Sequence, residues 1–153
     1  AGVMAVFNVD RENHSVSGTI SPKDIPALEK SGTYAYYEYF TKSCGVLAYD
    51  EAIEITLADN DKVALYTFVP VNNDFAVMGR TDLFIGVKAA ANIRSGNGTC
   101  SFTLKEGGPI AIVVSGNKKV SYVKANGKYV DFVQNGILLE LTTDISATEI
   151  EIG

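Results

Sequence analysis

The sequence predicts an all-β fold, a two-sheet antiparallel β-sandwich with one short helix near residues 22–30. Three observations carry this. Several apolar segments alternate at period two, which places one face of a strand inward and the other outward. Turn chemistry rich in Gly, Asn and Asp separates these segments at roughly 8 to 12-residue spacing. A helix-start pattern is found in one stretch. The 153 residues fit a single domain, 1–153, and a chain of this length buries roughly 70% of its unfolded surface.

Taken in order, residues 3–9 read as a strand, and residues 14–20 alternate as a half-buried strand that would pair with it as a hairpin. Ser21-Pro22-Lys23-Asp24 supplies a capping residue, a proline at the first helical position and an acid three after the cap. Pro26 keeps the helix to one or two turns, ending near Lys30-Ser31-Gly32. Residues 33–41 hold Tyr34, Tyr36, Tyr37, Tyr39 and Phe40. Alternation sets Tyr34 and Tyr36 on one face and Tyr37 and Tyr39 on the other, so one pair is expected in the core and the other more exposed. In residues 51–57, Ile53, Ile55 and Leu57 point inward and Glu54 and Thr56 outward; Asp59-Asn60-Asp61 turns that strand into the next.

Residues 63–91 look like the crossing between two halves of one core: an apolar strand stopped by Pro70, a polar break at Asn72-Asn73-Asp74, and a second apolar run from Phe75. From Cys100 the pattern reads as a meander of strands at 100–104, 110–115, 120–125, 128–133, 137–141 and 148–152. Its links are Ser115-Gly116-Asn117, Gln134-Asn135-Gly136 and Asn126-Gly127. The last is the strongest hairpin signal, because both residues tolerate the positive φ of a type I′ turn.

Composition narrows the function classes. Apolar residues make up 46% and charged residues 20%, which argues against disorder, and no apolar run reaches the roughly 18 residues a membrane helix needs. Thirteen Lys and Arg stand against 18 Asp and Glu, a net charge of −5, and no basic run exceeds Lys118-Lys119, so nucleic acid is not an expected partner. Cys44 and Cys100 are expected as two reduced, largely buried thiols, too few for a zinc site. His14, the single histidine, lies in a polar stretch and is expected on the surface. No signal-peptide pattern opens the chain, whose abrupt apolar start reads as a piece of a longer protein; localisation stays open, with the cytoplasm slightly favoured.

Several motifs fail on inspection. Gly96-Asn97-Gly98 begins like a dinucleotide loop but leads into a strand, and Asp59-Asn60-Asp61 lacks the glycine and glutamate of a calcium loop. Asn13-His14-Ser15 and Asn97-Gly98-Thr99 match a glycosylation tripeptide too short to indicate a secretory route. Glycoside hydrolysis needs two carboxyls about 5 to 9.5 Å apart, whereas Asp10, Asp59, Asp61 and Asp74 fall in turns and Glu54, Glu149 and Glu151 alternate outward. The residues therefore assign no catalytic group, metal ligand or cofactor; Tyr37 and Tyr39 stand as candidate carbohydrate contacts, in a binding surface for oligosaccharide.

One tract carries a resemblance. Phe75-Ala76-Val77-Met78-Gly79-Arg80-Thr81-Asp82-Leu83-Phe84 is similar to the Phe-Ala-Pro-Ile-Gly-Leu-Thr-Asn-Met-Phe tract of raffinose synthase and seed imbibition proteins, the α-galactosidase-related glycoside hydrolases of family 36. Val6-Phe7-Asn8, Val16-Ser17-Gly18-Thr19-Ile20 with Asp24-Ile25 and Leu28-Glu29, and Tyr122 with Asn126-Gly127 resemble further pieces of that family in the same order. The pattern departs at Val77, Asp82 and Ile85-Gly86-Val87-Lys88. The resemblance implies a C-terminal β-sandwich that accompanies a catalytic (β/α)₈ barrel, with the catalytic aspartates on the barrel and none in this chain. The expected role is that of an accessory domain bracing the barrel; a carbohydrate-binding module is the alternative, and a self-contained small enzyme the third.

Overall fold

The computed structural model describes residues 1–146 and 148–153 and forms two compact units, Ala1–Pro70 and Val71–Gly153. The fold is all-β, and in each unit two antiparallel sheets share one buried core. Where the sequence reads residues 63–91 as a crossing within one core and residues 1–153 as one sandwich, the division between units falls at Pro70, and each side of it has its own core.

The first unit contains β1 (Gly2–Phe7), β2 (Val16–Ile20), β3 (Thr33–Glu38), β4 (Cys44–Ala48), β5 (Ile53–Leu57) and β6 (Val63–Pro70). One sheet runs β1-β6-β3-β4 and the other is the pair β2-β5. The expected hairpin of β1 with β2 does not form: β1 pairs with β6, Gly2 opposite Phe68, while β2 pairs with β5, Val16 opposite Leu57. In β5 alternation correctly gives the inward face. Leu57 is buried and Ile53 and Ile55 pack on a core of Ile20, Tyr34, Tyr66 and Phe68. Tyr36 tilts against Tyr66 and Phe68 at centroid distances of 6.0 and 6.3 Å, a spacing at which aromatic quadrupoles attract.

The short helix over 22–30 shrinks to a single 3₁₀ turn, Pro22–Asp24. Ile25 sits at φ −107°, ψ 102°, outside the helical region, because it precedes Pro26 and the proline ring crowds a helical Ile25. The start signal itself works as expected: the Ser21 N–H donates to Asp24 Oδ2 at 2.9 Å. The Ser21 hydroxyl instead donates to the Glu51 carbonyl at 2.6 Å and so ties this turn to the segment before β5.

The second unit contains β7 (Phe75–Arg80), β8 (Ala90–Gly96), β9 (Thr99–Leu104), β10 (Pro109–Val114), β11 (Val123–Ala125), β12 (Lys128–Tyr129), β13 (Val133–Asn135), β14 (Leu138–Thr142) and β15 (Glu149–Ile152). Its sheets are β13-β14-β10-β7 and β12-β11-β15-β9-β8. Most strands expected beyond Cys100 are present, but the expected strand 128–133 is split into β12 and the separate β13, the strand expected at 120–125 is confined to Val123–Ala125, and the strands do not form a meander. Neighbouring hairpins β8–β9, β11–β12 and β13–β14 are local, while β15 reaches back to β9 and β10 lies between β7 and β14. Both sheets contribute to one core, from Val77, Ile110, Ile112 and Leu139 on one side to Phe102, Val123, Ile150 and Ile152 on the other. Fully burying each such aliphatic or aromatic side chain contributes roughly 1.5–3 kcal/mol.

Candidate functional site

The tract that carries the family resemblance builds a rigid, outward loop. Along β7 the register against β10 slips by one residue, so that Ala111 faces Gly79 and Ile112 faces Val77 with Met78 extra between them. Gly79 takes φ +79°, the left-handed conformation that such a bulge requires and that glycine adopts without a Cβ penalty. The bulge re-aims Arg80, whose Nε and terminal nitrogen donate to the two Asp82 carboxylate oxygens at 2.9 and 2.6 Å, while Glu106 lies 3.4 Å from its other terminal nitrogen. The Arg80 side chain is only 13% exposed.

Electrostatics and close packing hold this base together. The Arg80 hydrogen bond keeps the Asp82 carboxyl below its ordinary pKa despite some desolvation, and the same bond raises that of the guanidinium. Gly108 makes room for the guanidinium, since a Cβ there would lie 2.9 Å from Arg80 Nε. Thr81 N–H donates to the Pro109 carbonyl at 3.1 Å, and Lys88 N–H donates to the Ile85 carbonyl at 3.2 Å within the 3₁₀ turn Gly86–Ala89.

On this base stand three consecutive apolar residues turned to solvent. Leu83 is 45% exposed, Phe84 61% and Ile85 48%, bordered by the exposed charges of Asp82 and Lys88. Phe84 therefore does not belong to a central apolar crossing. An apolar run shows that residues are hydrophobic, and here the bulge and the loop that follows decide that they face outward.

The aromatic pair proposed for sugar contact is arranged differently from the expected exposed face. Tyr37 is buried, 5% exposed, and Tyr39 is half-buried just beyond the end of β3, its ring edge-on to Phe40 at 5.1 Å. Both faces of β3 are covered, so alternation does not separate a core pair from a solvent pair. The exposed face expected to carry Tyr37 and Tyr39 is therefore not formed, since Tyr37 is buried.

Glu38, which sequence reasoning passed over among the tyrosines, is 2% exposed. Its Oε1 accepts the Leu65 N–H at 2.9 Å, and its Oε2 accepts both the Thr41 N–H and the Thr41 hydroxyl. Burial alone would raise its pKa; the bonds from Leu65, Thr41 and Phe40 outweigh burial and hold it below the ordinary value. With one carboxylate oxygen fixing the 38–43 turn and the other accepting from Leu65 of β6, Glu38 is structural. Asn8 was likewise missed: buried, it donates to the His14 and Leu57 carbonyls at 2.7 and 3.2 Å and staples the loop after β1 to the end of β5.

His14 is exposed beside Asp10, with Nδ1 3.1 Å from the carboxylate. Cys100 is buried and its thiol pKa is pushed up to about 11 by desolvation, while Cys44 is half-buried. Glu54, Glu149 and Glu151 are exposed, as their alternation implies. Among the described residues no group of three or more His, Cys, Asp or Glu side chains could hold a metal ion, and no helix is long and apolar enough to cross a membrane. Comparison with protein-family models and with curated proteins returned no match.

Proposed function

We propose that this chain is a non-catalytic accessory domain of an α-galactoside-processing glycoside hydrolase related to family 36, and that it packs against and stabilises a catalytic (β/α)₈ barrel lying outside these residues. The observation that supports the reading is the Leu83-Phe84-Ile85 tip, exposed on a base fixed by Arg80, Asp82 and the glycine contacts. Exposed apolar side chains on a rigid loop lose little conformational freedom when a partner covers them, so most of their burial free energy is available for docking. The tip lies within and next to the tract that resembles the family, and it is rimmed by charge as the centre of an interface commonly is.

The test has two arms. The purified chain is incubated with a chromogenic α-galactoside and with raffinose, and titrated with galactose and raffinose by calorimetry; neither turnover nor sugar binding is expected. In the second arm a family-36 barrel freed of its own sandwich is mixed with the chain, which should raise the barrel's melting temperature. A Leu83→Ser/Phe84→Ser variant should lose that effect while remaining folded. Turnover that disappears on substituting one acid would make the chain an enzyme, and saturable sugar binding would make it a carbohydrate-binding module; either overturns the accessory role.

A further inference from the structure

The second unit contains a concavity that the accessory role does not use. It is an open cleft of about 540 Å³ beside β10 and β13, within the roughly 300–1,000 Å³ range of small-molecule sites. Val114, Val120, Phe132 and Ile137 supply its apolar lining, and Asn117, Lys118 and Lys119 line it with polar groups.

The lysines sit on a segment held from several sides. Ser115 N–H donates to the Asp74 carbonyl at 2.8 Å, and Gly116 and Asn117 follow at φ +67° and +55°, turning the chain back on itself. Gln134 then clamps the returning chain: its Oε1 accepts the Val120 N–H at 2.9 Å, and its Nε2 donates to the Lys118 carbonyl at 2.9 Å and the Gly136 carbonyl at 3.2 Å. The Lys118 ammonium lies 5.7 Å from the centre of the buried Phe75 ring, within cation–π range, and its side chain is half-buried.

Charge and donor supply identify the ligand class. Among the described residues neither Lys118 nor Lys119 forms an ion pair, so two adjacent positive charges are uncompensated in a protein of net charge −5. Both ends of the Gln134 amide are engaged with backbone, which leaves Asn117 and the two lysines as the polar side chains of the cleft, and the paired ammonium charges favour an anion over a neutral sugar. We propose that this cleft binds a small amphipathic carboxylate, its anionic head set at Lys118 and Lys119 and its apolar body against Phe132 and the aliphatic wall. The inference is independent of the docking role, since it uses none of the residues of the 81–89 loop.

The experiment is a ¹⁵N-edited NMR titration of the whole chain with 4-phenylbutyrate, at about 50 mM salt so that surface charge is incompletely screened. Saturable shifts clustered at residues 118–120 and 132–137 are expected. In a Lys118→Gln/Lys119→Gln variant, whose spectrum away from the cleft should be unchanged, the dissociation constant should rise about tenfold or more. The neutral isostere 4-phenylbutan-1-ol should bind correspondingly more weakly than the carboxylate. Equal binding of the alcohol, no saturable shift up to about 10 mM carboxylate, or galactose shifting the same amides in its place would each overturn the proposal.

Discussion

Gly79 and Gly86 meet backbone to backbone: a Cβ on Gly79 would overlap the Gly86 carbonyl, and a Cβ on Gly86 would overlap the Arg80 carbonyl. Neither neighbour is a flexible side chain that could swing aside. Gly86→Ala should therefore force the loop off its base and cost about 2–4 kcal/mol, from overpacking against backbone. Amide hydrogen exchange across β7 and β10 reads the loss locally. An exchange pattern identical to that of the parent chain would mean that the loop base is loose enough to absorb a methyl group.

Phe84→Ala should behave in the opposite way. A buried phenylalanine would cost about 3–5 kcal/mol on truncation, but with Phe84 61% exposed the loss should stay below about 1 kcal/mol. Chemical denaturation followed by circular dichroism measures it. A loss of several kcal/mol would return Phe84 to a core and remove the surface on which the docking role rests.

These two positions also show what could be read from the sequence. Strand existence was legible wherever one face is buried and the other wet, as in Ile53, Ile55 and Leu57 against Glu54 and Thr56, because alternation reports local geometry. Turns were legible at Asn126-Gly127, where the chemistry is local too. Partners were not: β1 joins β6 and β2 joins β5 across long stretches of chain, and nothing in the residues between them specifies that choice over the nearer hairpin. The division at Pro70 was hidden because the polar break after it is a tight turn, with Asn73 and Asp74 at positive φ, and not a linker. Of the candidate site, the tract itself was visible; that its tip faces solvent follows from a one-residue bulge at Met78-Gly79, which leaves no periodic trace.

Glu38 should make stability depend on acid. Its folded pKa lies below the unfolded value, so the protonated form is favoured by unfolding. Its contribution is present in full above the unfolded pKa, in the ordinary carboxylate range near pH 4–5, and is lost as pH falls through the lower folded value. Glu38→Gln should cost about 1–3 kcal/mol at pH 7, because an amide sets NH₂ against the donors of Leu65 or of Thr41. Urea midpoints measured from pH 7 down to 3 test both points: the parent should lose stability more steeply than the variant. Parallel curves would show that the Glu38 carboxylate is not what holds the 38–43 turn.

The β11–β12 turn separates a backbone requirement from a side-chain one within two residues. Asn126 and Gly127 take φ +50° and +76°, a type I′ geometry, and nothing lies within 4 Å of a Cβ placed on Gly127. Gly127→Val therefore meets no steric neighbour and should lose about 1–3 kcal/mol through the strain of a β-branched residue at positive φ alone. Asn126 does more than tolerate its conformation: its Oδ1 accepts the Thr148 hydroxyl at 3.1 Å and the Glu149 N–H at 3.0 Å, tying the turn to the start of β15. Asn126→Gly keeps the turn and removes these bonds, so it should cost about 1–2 kcal/mol and release the Glu149 amide to exchange while the β11–β12 amides stay protected. Gly127→Val should loosen the β11–β12 pairing first. If both variants relax the same amides equally, turn and strand form one cooperative unit, and the assignment of separate roles to the two residues fails.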